Sequence, residues 1–206
     1  MRKITSEQEL LIGSSSPAYD KLIADELKER NIYLNEQIDE CVIENAVIQI
    51  LKFNREDKHK PISERKPIRI YMNSPGGSVI DGLILVDAII QSKTPVHGIL
   101  LGMAYSMCSY ILIVCDERYA LPHSSILIHD GTAGAMTSGN KFKDLAKFYD
   151  SLDKKTKHLI VSRTKISDEL YEEKRDREFY FFADEGKELG VVDKIIGVDC
   201  ELDDVI

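Results

Sequence analysis

IRIYMNSPGGSVIDGLILVDAIIQSKTPVHGILL, residues 68–101, holds the pattern that decides the fold. Ile68 to Asn73 is a run rich in β-branched and aromatic residues and reads as a strand. Asn73 to Ser78 is a turn with two adjacent glycines. Val79 to Ser92 carries apolar residues at helical spacing, and Val96 to Leu101 returns to strand character. A strand, a helix and a second strand within some thirty residues form the crossover unit of a parallel sheet.

Working outward, the same alternation continues. Pro17 to Arg30 reads as a helix with Leu22, Ile23 and Leu27 on one side, followed by a short strand at Asn31 to Leu34. Asp39 is placed to cap a second helix, in which Val42, Ala46, Val47, Ile50 and Leu51 form an apolar stripe. REDKHKPISERKP, residues 55–67, has little apolar content and reads as a solvated surface loop. Downstream, Ser106 to Val114 is apolar enough for a buried helix. Tyr119 to Leu121 and Ile126 to His129 read as strands. From Phe142, apolar residues recur at Leu145, Tyr149, Leu152, Thr156 and Leu159, which predicts one long amphipathic helix. Such a helix either faces the core or serves as an arm on a neighbouring subunit. Ser167 caps a further helix to Arg175. Phe179 to Phe182 is a strand, Asp184 to Leu189 a helix stopped by Gly190, and Val191 to Ile196 a last strand. The expectation is a single α/β domain over residues 1–206 with a largely parallel sheet.

Composition narrows the function. The chain has 206 residues, enough to bury a core without disulfides or metals. Its net charge of −8 argues against nucleic acid as the main partner. The segment 1–16 has no apolar stretch of signal-peptide length, and no uncharged run is long enough to span a bilayer, so a cytoplasmic location is expected. Cys41, Cys108, Cys115 and Cys200 form no CxxC pair and read as reduced, mostly buried thiols.

Three segments carry chemistry. In Asn73-Ser74-Pro75-Gly76-Gly77-Ser78, the glycine pair lets a ligand approach backbone N–H groups at a helix start, which suits a developing oxyanion. An ordinary strand-to-helix turn reads the same way. In GMAYSMCS, residues 102–109, Ser106 stands at a helix N-terminus beside small residues, like a nucleophile elbow without the G-x-S-x-G pattern. A simple helix cap is the plainer account of Ser106, and Ser109 is an equal candidate by composition. His129 ends an apolar strand and precedes the glycine-rich GTAGAMTSG, where a strand's C-terminal edge faces a cleft.

Taken in order, the three segments resemble the proteolytic subunit of the Clp protease family. YMNSPGGSV at 71–79, GMAYSM at 102–107 and YALPHSSILIH at 119–129 carry the resemblance. RNIYLNEQID at 30–39 and ADEGKELGVVD at 183–193 support it. It implies a crotonase-like fold of repeated β-β-α units with a protruding arm helix, the arm region spanning about 131–163. It implies a serine endopeptidase that hydrolyses peptide bonds inside an oligomeric chamber, with Ser106 as nucleophile and His129 as general base. The N–H groups of Gly77 and Met107 match the family's oxyanion hole. The family's third residue is an Asp. Aligned without gaps from the 183–193 tail, its place holds Glu178, with Asp176 as the alternative.

The resemblance also implies partners. These are a peptide or unfolded protein substrate, a homo-oligomer of stacked heptameric rings, and an AAA+ unfoldase ATPase. No cofactor or metal is called for. The family's Pro-Leu-Gly-Gly is replaced here by residues 131–134, and the first sixteen residues do not match the family's N-terminal loops. Two other readings compete. One is a catalytically inactive ring subunit. The other is a crotonase-like acyl-CoA enzyme, which needs no serine–histidine pair.

Overall fold

The computed structural model describes residues 17–206 apart from 132, 133 and 135. The segment 1–16 and part of the glycine-rich stretch after His129 therefore lie outside the described residues. The elements are α1 (Pro17–Lys28), β1 (Asn31–Leu34), α2 (Ile48–Glu56), β2 (Ile68–Ser74), α3 (Val79–Gln91), β3 (Val96–Tyr105), α4 (Met107–Ile113), β4 (Glu117–Ala120), β5 (Ser125–Ile128), α5 (Gly139–Arg163), α6 (Asp168–Lys174), β6 (Phe179–Phe182), α7 (Ala183–Glu188) and β7 (Lys194–Ile195). The sheet runs β1-β2-β3-β4-β7, all parallel, and β5 joins β3 while β6 pairs antiparallel with β5.

The long strand β3 forks the sheet. Its first half, His97 to Leu100, pairs with β4, whereas Met103 to Tyr105 pair with β5. The sequence reading ends this strand at Leu101 and leaves Gly102 to Tyr105 between strand and helix. They remain extended because β5 offers Met103, Ala104 and Tyr105 a second ladder. One buried face of the sheet, with Ile70, Met72 and Leu100, packs on α3 and α4. Every residue of α4 is buried, so packing rather than intrinsic propensity makes a helix of its β-branched isoleucines.

Three expectations need correction. The second helix is not capped by Asp39: its carboxylate accepts the Cys41 N–H in a turn, and a π-helical turn at Ile43–Val47 leads into α2. The charged 55–67 segment is not simply solvated. Asp57 within it is fully buried, accepts two bonds from Arg30 (Nη1 at 2.5 Å and Nη2 at 2.9 Å) and also takes Lys60 Nζ at 2.9 Å. A buried carboxylate needs such partners, and they tie the loop to the end of α1. The last strand shrinks to Lys194–Ile195, because Val191 and Val192 donate their N–H groups to Gly186 O instead of a ladder. Cys108 and Cys115 are buried, but Cys41 is exposed.

The long helix α5, Gly139–Arg163, covers the expected span from Phe142 to Leu159 and extends a few residues beyond each end. Only Thr156 and Ile160 are buried along it, and Phe142 and Phe148 are exposed. Its C-terminal part packs on α4 and α6. Its N-terminal part presents apolar side chains outward.

Candidate active site

The glycine turn is built first. Ser74, fully buried at the end of β2, donates its hydroxyl to Glu36 O at 2.6 Å and accepts the Gly76 N–H at 3.1 Å. An isolated parallel bridge then sets Gly77 against Ile38, using the Gly76 carbonyl and the Ser78 N–H at 2.8 Å each. Because successive N–H groups of an extended chain point to opposite sides, the Gly77 N–H faces away from Ile38, and no acceptor among the described residues takes it. Both glycines have positive φ, 86° and 151°. A Cβ at Gly76 would sit 2.4 Å from Tyr105 O, and one at Gly77 2.2 Å from Ile38 O.

Ser106 joins β3 to α4 with φ 52° and ψ −124°, a conformation that an L-residue adopts only under strain. A serine held so on a strand-to-helix turn is a nucleophile elbow in geometry, although the G-x-S-x-G signal is missing. The cap interpretation fails here, because the Ser106 side chain makes no capping bond. Ser109 is spent elsewhere: it is buried and donates to Ser106 O at 2.7 Å. Burial pushes the neighbouring Cys108 thiol up to about 12, so it supplies no competing thiolate. The Met107 N–H belongs to the first helical turn and has no acceptor among the described residues.

His129 reaches the same place through β5. The Ser106 N–H donates to Leu127 O at 3.0 Å, which pins the elbow to that strand two residues before His129. In the β5–β6 register, Ile128 faces Phe179. One further step sets His129 opposite Glu178, and its Nδ1 lies 3.1 Å from Glu178 Oε1. Asp176 is two residues out of this register and rests 3.6 Å from Arg175 Nε. Of the two acids considered from sequence, Glu178 is therefore the one in contact with the imidazole.

Ser106, His129, Glu178, Gly77 and Met107 all line one cavity of about 820 Å³. Among the described residues, no hydrogen bond joins Ser106 to His129. The cavity's far wall was missed in the sequence reading. Tyr149, Leu152, Asp153 and Thr156 on α5, with Asp130, Asp150, Arg175 and Tyr180, complete it. The three–four spacing of Tyr149, Leu152, Asp153 and Thr156 is the signal that sets them on one helix face. The expectation of a core or arm helix does not include this wall.

A forked, parallel-dominated α/β sheet thus brings an uncapped serine elbow and a histidine to one cavity. Compared with protein-family models, the chain matches Clp protease over residues 14–199 and belongs to that family. At the family level it is a Clp-type peptidase. Among the described residues no helix is long and apolar enough to cross a membrane.

Proposed function

We propose that this chain is a serine endopeptidase of the Clp proteolytic-subunit type, with Ser106 as nucleophile, His129 as general base and Glu178 as the acid that orients it. The observation that carries the reading is the strained Ser106 elbow, whose hydroxyl caps nothing and opens on the same cavity as His129. Glu178 on Nδ1 fixes that nitrogen as the protonated one, which leaves Nε2 free to take the serine proton.

In the reaction, Ser106 Oγ adds to the scissile carbonyl as its proton passes to His129 Nε2. The Gly77 and Met107 N–H groups stabilise the resulting oxyanion. The imidazolium then protonates the leaving amine, and water, activated by the same nitrogen, hydrolyses the acyl-serine. No cofactor takes part. That no hydrogen bond joins Ser106 to His129 among the described residues, with Glu178 half-exposed, is what favours the alternative of an inactive ring subunit.

The rest of the reading concerns assembly. Exposed Phe142 and Phe148 on α5 suit an arm that joins two heptameric rings into a cytoplasmic chamber, fed by an AAA+ unfoldase with unfolded protein. Enclosure is the physical reason a broadly acting peptidase harms no folded neighbour. Labelling with a fluorophosphonate probe, followed by mass spectrometry, tests the chemistry. An adduct on Ser106 that His129→Ala abolishes supports it. An assembled protein that takes no label at Ser106 refutes it.

A further inference from the structure

The cavity wall that α5 supplies is seated only weakly by packing. Thr156 and Ile160 are the buried residues of this helix, so the turn that carries Tyr149, Leu152 and Asp153 lies upstream of its buried contacts. Apolar burial therefore does little to set how far this turn stands from Ser106 and His129. A polar contact takes over that task. Arg175, at the C-terminal end of α6, reaches the turn, and its Nη2 donates to Asp153 Oδ2 at 2.9 Å. Among the described residues, no other ion pair ties residues 149–156 to the rest of the fold.

Arg175 is itself held from several sides. Its N–H donates to Tyr171 O at 2.8 Å, and its carbonyl accepts the N–H of Asp130, the residue after His129, at 3.1 Å. Its Nη1 lies 3.4 Å from Glu172 Oε2. Glu172 also accepts Lys157 Nζ at 2.5 Å, one helical turn along α5 from Asp153, and Lys157 reaches Asp168 at 2.8 Å. Charges thus alternate along the α5–α6 seam. Each side chain is already restrained by the next, which reduces the entropy lost in holding any one of them. The backbone of Arg175 belongs to the side of the cavity that carries the base, and its side chain grips the opposite wall. A planar fork that bonds through two nitrogens spans such a gap more rigidly than a lysine ammonium.

We infer that Arg175 is a positioning residue, whose guanidinium holds the α5 wall at a fixed distance from the strand that carries His129 and thereby sets how tightly the cavity grips a peptide. The inference rests on the peptidase reading above. It separates two effects of one residue: the Asp130 contact is made by a carbonyl and survives a change of side chain, whereas the grip on Asp153 does not. Loss of the side chain should therefore act on binding and leave the chemical step to Ser106 and His129.

The test uses the full-length assembled protein and one fluorogenic peptide that extends several residues to each side of the cleaved bond. Arg175→Met keeps the aliphatic stem and removes the charge. It should raise KM by about three- to fivefold, the order of a half-exposed ion pair, with kcat within about twofold of the parent. Arg175→Lys should return KM to within about twofold of the parent. Asp153→Asn should reproduce the rise, and the double variant Arg175→Met, Asp153→Asn should be no worse than either single one, because both remove the same contact. Fluorophosphonate labelling of Ser106 verifies a folded site in each variant. Should Arg175→Met take no label, Asp153→Asn carries the test with the same expected rise. An unchanged KM in labelled variants, a fall in kcat instead of a rise in KM, effects that simply multiply in the double variant, or an Arg175→Lys as impaired as Arg175→Met overturns the inference and leaves the peptidase reading standing. If the parent cuts no peptide the inference fails, and the absence of label as well brings down the peptidase reading with it.

Discussion

His129 and Glu178 face each other across the β5–β6 pair, with Nδ1 and Oε1 3.1 Å apart. The contact comes from strand register, since these are the residues one step beyond the Ile128–Phe179 pair. A glutamate reaches the imidazole here because the register brings its backbone alongside the histidine's.

This relationship predicts different outcomes for two neighbouring acids. Glu178→Gln removes the carboxylate that fixes the histidine tautomer, so kcat should fall by about 10²-fold with KM little changed. That is less than the loss of about 10⁴ known for a buried acid, because Glu178 is half-exposed. Asp176→Asn, whose carboxylate rests beside Arg175 at 3.6 Å, should stay within about twofold of the parent. Steady-state hydrolysis of one peptide by both variants decides the matter, and the reverse ranking would move the acid to Asp176.

The Ser106 elbow stores strain, so function and stability should separate there. Ser106→Gly should abolish activity yet raise stability over Ser106→Ala by about 1–2 kcal/mol, since glycine adopts positive φ freely. For a chain of this size that is a rise of roughly 2–8 °C in Tm. Equal melting temperatures for the two variants would mean that the turn is unstrained.

The oxyanion donors are backbone groups, and the prediction follows from what a substitution can move. Gly77→Ala forces a Cβ into Ile38 O and should cost about 10²–10³ in kcat by turning the N–H away. Met107→Leu keeps its N–H and changes only a buried side chain, so its kcat should stay within about threefold. A Met107→Leu loss as large as that of Gly77→Ala would contradict the assignment.

Arg30 and Asp57 anchor the charged loop, and Asp57→Asn leaves a nearly buried guanidinium with only the half-exposed Glu56, at 3.9 Å, as counter-charge. A loss of about 3 kcal/mol is expected, seen as a fall of roughly 6–12 °C in Tm. The Arg30 bond holds the Asp57 carboxyl well below its usual value of 3.8. A depressed carboxylate contributes stability that is full above that unfolded value and drains as pH falls below it. The difference in Tm between parent and Asp57→Asn should therefore be constant from pH 7 to about 5 and shrink below about pH 4. A difference that grows on acidification would reverse the sign of this linkage.

The fold was largely open to reading from the chain. The strand–turn–helix–strand at 68–101 and the helix cap at Ser167 follow from local periodicity and hydrogen-bonding chemistry, which are written in neighbouring residues. What escaped depends on partners distant in sequence. Nothing within residues 102–105 says that β5 will keep them extended. Nothing in REDKHKP says that Arg30, from the far side of the loop, will draw Asp57 inward. The choice between Ser106 and Ser109 hangs on φ at one residue and on one hydroxyl's acceptor, neither of which composition records. The choice between Glu178 and Asp176 hangs on register, which a two-residue slip would have reversed.

The fork in β3 builds the site where two arms of one sheet part. The elbow follows the end of β3, while His129 and Glu178 extend the β5–β6 pair, joined to the elbow by the bond from Ser106 N–H to Leu127 O. Base and acid thus owe their mutual geometry to a single strand pairing, and the serine owes its place beside them to a single backbone bond.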